Sequence, residues 1–347
     1  MDLRFRSVNC LKAYKCNKRR KTMALNATSP EHQMQIIAGT EGRKKGHKFE
    51  KTLTEHINEL DNKLFYPVEG NTLHVFCGSP AEILLQYIAN DRNVNVYDVK
   101  AWWLGGLATS GVGDALQDEE GNPITKCKSD VLLQITSSRG LETIGVSVKN
   151  CNRKTPTNDQ MYFTTAKAFC YLLRTNGISV SSMGEQGMSM FCGDIGFRPL
   201  DIMTAQQLNC RNSDPNRFYW EELPCEAQQE WKEIFTVWQD YITMLLFQKA
   251  YKDDPYPPDY LLHQTVRYSD FEQCDIAVFS MEEIVAISKA YSGFELSPYV
   301  IRKGTYKNDN KIHYAPRFGF IQFQRGGQRQ HPTQLQFNLK AGYFRKI

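Results

Sequence analysis

Residues 129–150 read SDVLLQITSSRGLETIGVSVKN, and this stretch decides the fold. Two short apolar runs, Val131-Leu132-Leu133-Gln134-Ile135 and Ile144-Gly145-Val146-Ser147-Val148, flank Ser138-Arg139-Gly140, so an antiparallel hairpin is expected. With residues 138–141 as the connection, 137 faces 142 and Asp130 falls directly opposite Lys149, their Cβ atoms about 5 Å apart. Alternation places Lys149, Ser147, Gly145 and Thr143 on one face and turns Val148, Val146 and Ile144 into the core. An acid and a lysine then stand together at the open end of two strands. Phosphodiester hydrolysis needs such a pair: a carboxylate to hold a hard divalent cation, and an ammonium to orient water and offset charge on the phosphate.

Upstream, Phe49, Leu53, Ile57, Leu60 and Leu64 recur at helical spacing, which predicts an amphipathic helix over roughly 46–64. Ser79-Pro80-Ala81-Glu82 is a helix start, with a capping serine, a first-turn proline and a glutamate three residues on. The glycine-rich stretch 101–121 reads as a loop. Downstream, a helix is expected from about Asp159 to Arg174, stopped at Asn176-Gly177. Trp231, Phe235, Trp238, Ile242 and Leu245 mark a long helix to about Tyr251 and read as core packing; the prolines of 253–259 break it. Ser280 with Glu283 repeats the capping pattern, for a helix ending by Gly293. Strict alternation in Gln334–Lys340 is that of a strand with one buried face, partnered by Phe318–Arg325 through Gly326-Gly327.

Ten cysteines lie scattered without a CxxC pair, so a zinc site is not supported and free thiols are expected. No run of about 18 apolar residues offers a membrane span. Charge is segregated: residues 1–22 hold eight Lys or Arg against one acid, 201–300 hold seven against seventeen, and 301–347 hold ten against one. One face attracting a polyanion while another repels it fits that pattern, as does a merely solvated face. Residues 1–22 lack the apolar stretch of a secretory signal; the reading preferred here takes Met23 as the start, with a nuclear signal or transit peptide as alternatives.

These residues carry a resemblance to a family. Ser129-Asp130, a hairpin, then Ser147-Val148-Lys149 nineteen residues after the acid resemble the PD-(D/E)xK nuclease core. Gly46-His47-Lys48-Phe49-Glu50 is similar to the start of that family's first helix, whose glutamate joins the metal site, and Ile144–Asn150 is similar to the variant strand of type II restriction endonucleases that carry serine in place of the second acid. The resemblance spans 46–175, extends more loosely to the tail hairpin, and is absent over about 178–300. It implies Mg2+ as cofactor, held by Asp130, Glu50 and the carbonyl of Val148, with Lys149 activating or orienting water. Ser147 is a poor magnesium ligand, so the second carboxylate must come from Glu50 or, as second choice, from Asp114 in its glycine-rich turn. Arg153, Lys154, Arg325 and Arg329 are candidate contacts to DNA phosphates. Gln334, Gln336 and Lys340, with Asn338, project from one strand face and are candidate base readers, a solvated face being the alternative.

The expected architecture is α/β, a restriction-endonuclease-like core with a mixed central sheet flanked by helices, helical additions and a C-terminal β-hairpin. Its expected parts are a basic, flexible extension (1–45), the catalytic core (46–200), a mainly helical segment (201–300) and a basic DNA-contact hairpin (301–347). The expected function is that of a type II restriction endonuclease cutting double-stranded DNA at a short sequence. The family further implies a homodimer, a cognate DNA methyltransferase, a part in phage defence and a bacterial cytoplasmic setting, with no membrane partner. A repair or recombination nuclease on the same core and a catalytically inactive DNA-binding protein are the rival readings.

Overall fold

The computed structural model describes residues 30–69, 75–107, 111, 113–117, 121–151, 159–211, 213–248, 254–265, 274–302, 311–325 and 333–339. A helix, α1 (Pro30–Glu59), leads to a short strand β1 (Val75–Gly78), helix α2 (Pro80–Arg92) and strand β2 (Val96–Trp103). The hairpin follows as β3 (Val131–Ser137) and β4 (Gly140–Cys151). Two more strands, β6 (Tyr260–Thr265) and β7 (Cys274–Ser280), complete a six-stranded sheet in the order β1-β7-β6-β4-β3-β2. Only β4 and β6 run parallel, so the sheet is mixed. The fold is α/β with helices flanking that sheet.

α1 and α2 cover one face. Phe49, Leu53 and Ile57 of α1 and Leu84, Leu85 and Ile88 of α2 pack with Val99, Leu133, Val146, Val148, Leu262 and Val278. The helical stripe that predicted α1 is therefore its buried stripe. The helix begins at Pro30, well before residue 46, and stops at Glu59, which leaves Leu64 outside it and exposed. α2 is capped as expected, with the Ser79 side chain accepting from the Glu82 N–H.

The opposite face of the sheet, through Leu261, Ala277 and Phe279, enters a second and largely aromatic core. That core is roofed by a five-stranded antiparallel sheet, β5 (Asp159–Thr164), β8 (Phe294–Tyr299), β9 (His313–Phe318), β10 (Ile321–Arg325) and β11 (Leu335–Leu339), in the order β5-β11-β10-β9-β8. Its helices are α3 (Ala166–Thr175), α4 (Ser182–Cys192), α5 (Pro199–Ile202), α6 (Ala205–Arg211), α7 (Cys225–Val237), α8 (Gln239–Gln248) and α9 (Met281–Lys289). Phe169 lies 4.7 Å from Phe337 between ring centroids, and Phe235 stacks 4.6 Å from Phe318. Trp231, Phe235, Ile242 and Leu245 are buried there, so the stripe is core packing; Trp238 is 40% exposed because the helix breaks at that residue into α7 and α8. Ser280 and Glu283 form the expected capping box on α9.

Several expectations change. Residues 159–164 form a strand, because Asp159-Gln160-Met161-Tyr162-Phe163-Thr164 adds to the edge of β11; the helix starts only after the Thr165 cap. The 201–300 segment supplies β6 and β7 to the central sheet besides its helices, so the acidic stretch is threaded through the core. The β3–β4 register is also shifted. Ser137 pairs with Gly140, and Val131 with Val146, so residue numbers of partners sum to two less than expected. Gly140 takes a φ of +112°, which lets the strand restart immediately, and the Ser137 hydroxyl accepts from the Arg139 N–H to close the tight turn. A shift of two residues preserves faces. No side chain changes sides: Ile144, Val146 and Val148 remain in the core, and Lys149 keeps the face of Asp130. Among the described residues no helix is long and apolar enough to cross a membrane.

Candidate active site

Asp130 precedes β3 and is held from several sides. Its N–H donates to the Val146 carbonyl at 2.9 Å, the continuation of the hairpin ladder. Its carbonyl accepts from Leu104 and Gly105 at 2.9 and 3.0 Å, which hooks the loop after β2 onto the strand. The carboxylate Oδ2 accepts from the Val148 N–H at 2.7 Å and from the Ser147 hydroxyl at 3.3 Å. Oδ1 has no hydrogen-bond partner among the described residues.

Lys149 Nζ lies 3.6 Å from Asp130 Oδ2, and both side chains keep about a fifth of their surface in solvent, at 22% and 20%. The ammonium donates to Ser147 Oγ and to the Val148 carbonyl, each at 3.1 Å. Ser147 thus links the lysine to the aspartate. The shifted register puts Ser147, rather than Lys149, across from Asp130, and the lysine reaches the carboxylate diagonally.

Glu50 is buried on α1 and reaches the end of β2, where Trp103 Nε1 donates to its Oε2 at 3.0 Å. Its carboxyl pKa is pushed up to about 7, first by burial and then by the negative charge of Asp130, against smaller opposing effects of Trp103 and Lys149. Gly105 makes room for it: a Cβ there would stand 1.9 Å from Glu50 Oε2. Asp114, the second choice for a metal-binding acid, is engaged elsewhere. Its N–H and its carboxylate pair with the Trp103 backbone, both at 2.8 Å, so it closes the end of β2.

Three residues of this neighbourhood escaped sequence reasoning. Lys128 is half-buried, donates to the Met161 carbonyl at 3.0 Å and sits over the Tyr162 ring. Its ammonium is pushed down to about 8 by burial and by the charge of Lys149. Its position two residues before Asp130 was a readable signal, since alternation puts both on one side. His47 lies edge-on to Trp103 at 5.9 Å, and burial lowers its pKa, with Arg43 adding to that and Asp130 opposing it. Gly105 could be found only from the fold. The loop 254–259, read from sequence as a helix break, also serves the site: Asp254 accepts from the Lys128 N–H, and the Tyr256 carbonyl accepts from Ser129 Oγ at 2.7 Å.

The other candidates separate. Arg325 is half-buried against Asp214 at 3.5 Å, on the second sheet. Gln336 and Asn338 are buried, at 8% and 5% exposure, and Gln334 is half-buried, so the polar face of β11 is covered rather than outward. Arg153, Lys154, Arg329 and Lys340 lie outside the described residues.

Among the described residues no cluster of three or more His, Cys, Asp or Glu could hold a metal ion. Magnesium asks for less: oxygen donors, one or two carboxylates, and retained water. Asp130 Oδ1, the Glu50 carboxylate and the Val148 carbonyl are hard donors of that type. The raised pKa of Glu50 reflects burial and a neighbouring negative charge, which the nearby lysine only partly offsets. The residues fit a hard divalent cation.

No family model matches the sequence, and no curated protein matches it. Among solved structures, the chain is similar to the restriction endonuclease MspI in its crystal structure with cognate DNA, at 13% identity and a TM-score of 0.39, over 74% of this chain and 76% of that one.

Proposed function

We propose that this chain is a magnesium-dependent endonuclease that hydrolyses double-stranded DNA at a short sequence, as type II restriction enzymes do. One observation carries the reading: Lys149 and Asp130 meet at 3.6 Å at the solvent-open end of a hairpin, with buried Glu50 within electrostatic reach of both. Asp130 and Glu50 would hold Mg2+, with the Val148 carbonyl as a third donor, and the ion would supply positive charge at the scissile phosphate and lower the pKa of a water. Lys149 has a third ammonium proton to direct at that water or at a phosphate oxygen while Ser147 and the Val148 carbonyl fix its other two. Ser147 therefore works as a tether between lysine and aspartate, a role that suits a hydroxyl better than that of a magnesium ligand. Symmetric cuts in the two strands would come from a homodimer, and a cognate methyltransferase would protect host DNA while the enzyme attacks phage.

Serine at 147 favours one rival, a protein that binds DNA and does not cut it. Incubation of sequenced plasmid and phage DNA with the protein and Mg2+ separates the readings. Discrete bands with one sequence at every mapped end are expected. Cuts that follow mismatches or branches instead would make it a repair nuclease, and retardation in a gel without cleavage would make it a binder.

A further inference from the structure

We infer that the slot between β9 and β10 is a nucleobase-binding site, whose occupant is one base of the DNA substrate turned out of the stack. The inference rests on the proposed nuclease function.

The slot arises from a failure of strand pairing with a chemical cause. β9 and β10 pair at Phe318↔Ile321 and Arg317↔Gln322, next to their turn, and no further. The next ladder position would place Pro316 opposite Phe323, and proline has no N–H to donate. The following hydrogen-bonding position on β9 is Tyr314, whose N–H is taken by Glu221 Oε2 at 3.1 Å. The strands therefore part, and a groove of about 540 Å³ opens between them. That volume is of ligand-site size.

Its walls match the chemistry of a base. Buried Phe191 and Phe323 make an apolar floor, and the half-buried rings of Tyr299 and Tyr314 stand at the sides. Polar groups converge on the same space: the amide of Gln324, and the guanidinium groups of Arg217 and Arg325, which share Asp214 at 3.7 and 3.5 Å. Aromatic faces to stack on, amides for a base edge and arginine for a phosphate are the groups that receive an extruded nucleotide. An added peptide strand suits the slot less well, since Pro316 removes a backbone donor from its rim and the Tyr314 N–H is spent on Glu221.

Position also agrees. Lys128, two residues before Asp130, bonds to the Met161 carbonyl of β5. Only β11 lies between β5 and β10. The groove and the Asp130–Lys149 pair are therefore linked through β5 and β11, with the Lys128 side chain and two strand spacings of roughly 5 Å each between them.

The test uses the full chain and the four 2′-deoxynucleoside 5′-monophosphates, titrated one at a time by calorimetry. One is expected to bind about tenfold tighter than the rest, and Gln324→Leu to weaken it by about tenfold, the loss of one hydrogen bond in a partly buried site. Tyr314→Leu should weaken all four. Absence of binding, equal binding of all four, or indifference to Gln324→Leu would overturn the site. Extrusion is read with 2-aminopurine placed at each position of a duplex carrying the mapped cut site, Ca2+ replacing Mg2+. Fluorescence should rise at one position with the wild type and stay flat there with Gln324→Leu; a flat profile throughout removes the extruded base. Nucleotide binding without plasmid cleavage would sink the nuclease reading and keep the groove, whereas cleavage without nucleotide binding would do the reverse.

Discussion

The hairpins β3–β4 and β10–β11 share a period and differ in surroundings. β4 packs Ile144, Val146 and Val148 on α1 and its neighbours and leaves Lys149 and Asp130 partly in water at its end. β11 sits between β5 and β10, and all five of its residues are buried, Gln336 and Asn338 among them. In the first hairpin the polar face is open at its end, where opposite charges meet. In the second the polar face is covered, and the residues that reach open space, Gln324 and Arg325, belong to its partner strand where β9 parts from it. Alternation reports which residues share a face; what lies over that face is decided by distant elements.

The largest effect should come from the open end of the first hairpin. Asp130→Ala and Lys149→Ala are each expected to lower the single-turnover cleavage rate by on the order of 10³-fold or more, since in the proposed mechanism each removes a group at the reacting phosphate. Retardation of the same DNA in Ca2+ should persist. Full activity in either variant would mean that the pair is only a surface ion pair, and the contrast between the hairpins would lose its functional side.

Next in size is Gly105→Ala. The new methyl group would meet the far end of the Glu50 side chain, so the carboxylate must swing away while the backbone stays. Cleavage is expected to fall by about 10²-fold, the scale for misplacing a catalytic group by about 1 Å, with a melting temperature close to that of the wild type. Unchanged cleavage would show that Glu50 stands outside the metal site.

Gly105 also marks the boundary of what the sequence made legible. The acid, the lysine and the glutamate could be found because their spacing is local: a hairpin of 22 residues and one face of a helix. The faces survived a misjudged turn because a two-residue shift leaves every side chain on its own side. Gly105 was hidden because its role depends on the carbonyl of Asp130 and the carboxylate of Glu50, which only the fold brings to it. Likewise Asp159–Thr164 was read as helix because its partner, β11, lies some 170 residues later. The acidic 201–300 segment concealed β6, whose His263 stands beside Lys149 in the parallel register, for the same reason. Alternation can mark a strand, as it does β11, but leaves no trace of which distant segment will pair with it.

Glu50→Gln should act on stability and metal in opposite directions. The carboxyl pKa in the fold is about 7, above its ordinary 4.5. A raised carboxyl contributes stability that is present below the unfolded value and lost as pH rises through the folded one, so ionised Glu50 destabilises the metal-free protein at pH 8. Replacing it by glutamine is expected to stabilise that protein at pH 8 by about 1–3 kcal/mol and at pH 4 by little. Added Mg2+ should raise the melting temperature of the wild type at pH 8 and leave the variant unmoved. A destabilised variant at pH 8, or one that still responds to Mg2+, would refute the account of this residue.

The smallest effect tests the covered hairpin. Gln336 pairs in register with Gln324 on one side and with Phe163 on the other, yet is only 8% exposed. If it read a base edge, Gln336→Leu would relax the cleaved sequence at one position, because a bidentate amide contact discriminates by about 1–3 kcal/mol. Its burial argues for a packing role instead. Leucine has similar bulk, and exchanging a buried amide for an apolar group of like shape can be nearly neutral. The expected change in stability is under about 1 kcal/mol, measured by urea unfolding, with the same cut sequence by end mapping. Gln324→Leu, one strand over and facing the groove, should spare stability equally but alter the sequence that is cut. If instead Gln336→Leu shifts the cut sequence and Gln324→Leu does not, the two strands exchange roles, and the polar face of β11 must uncover when DNA binds.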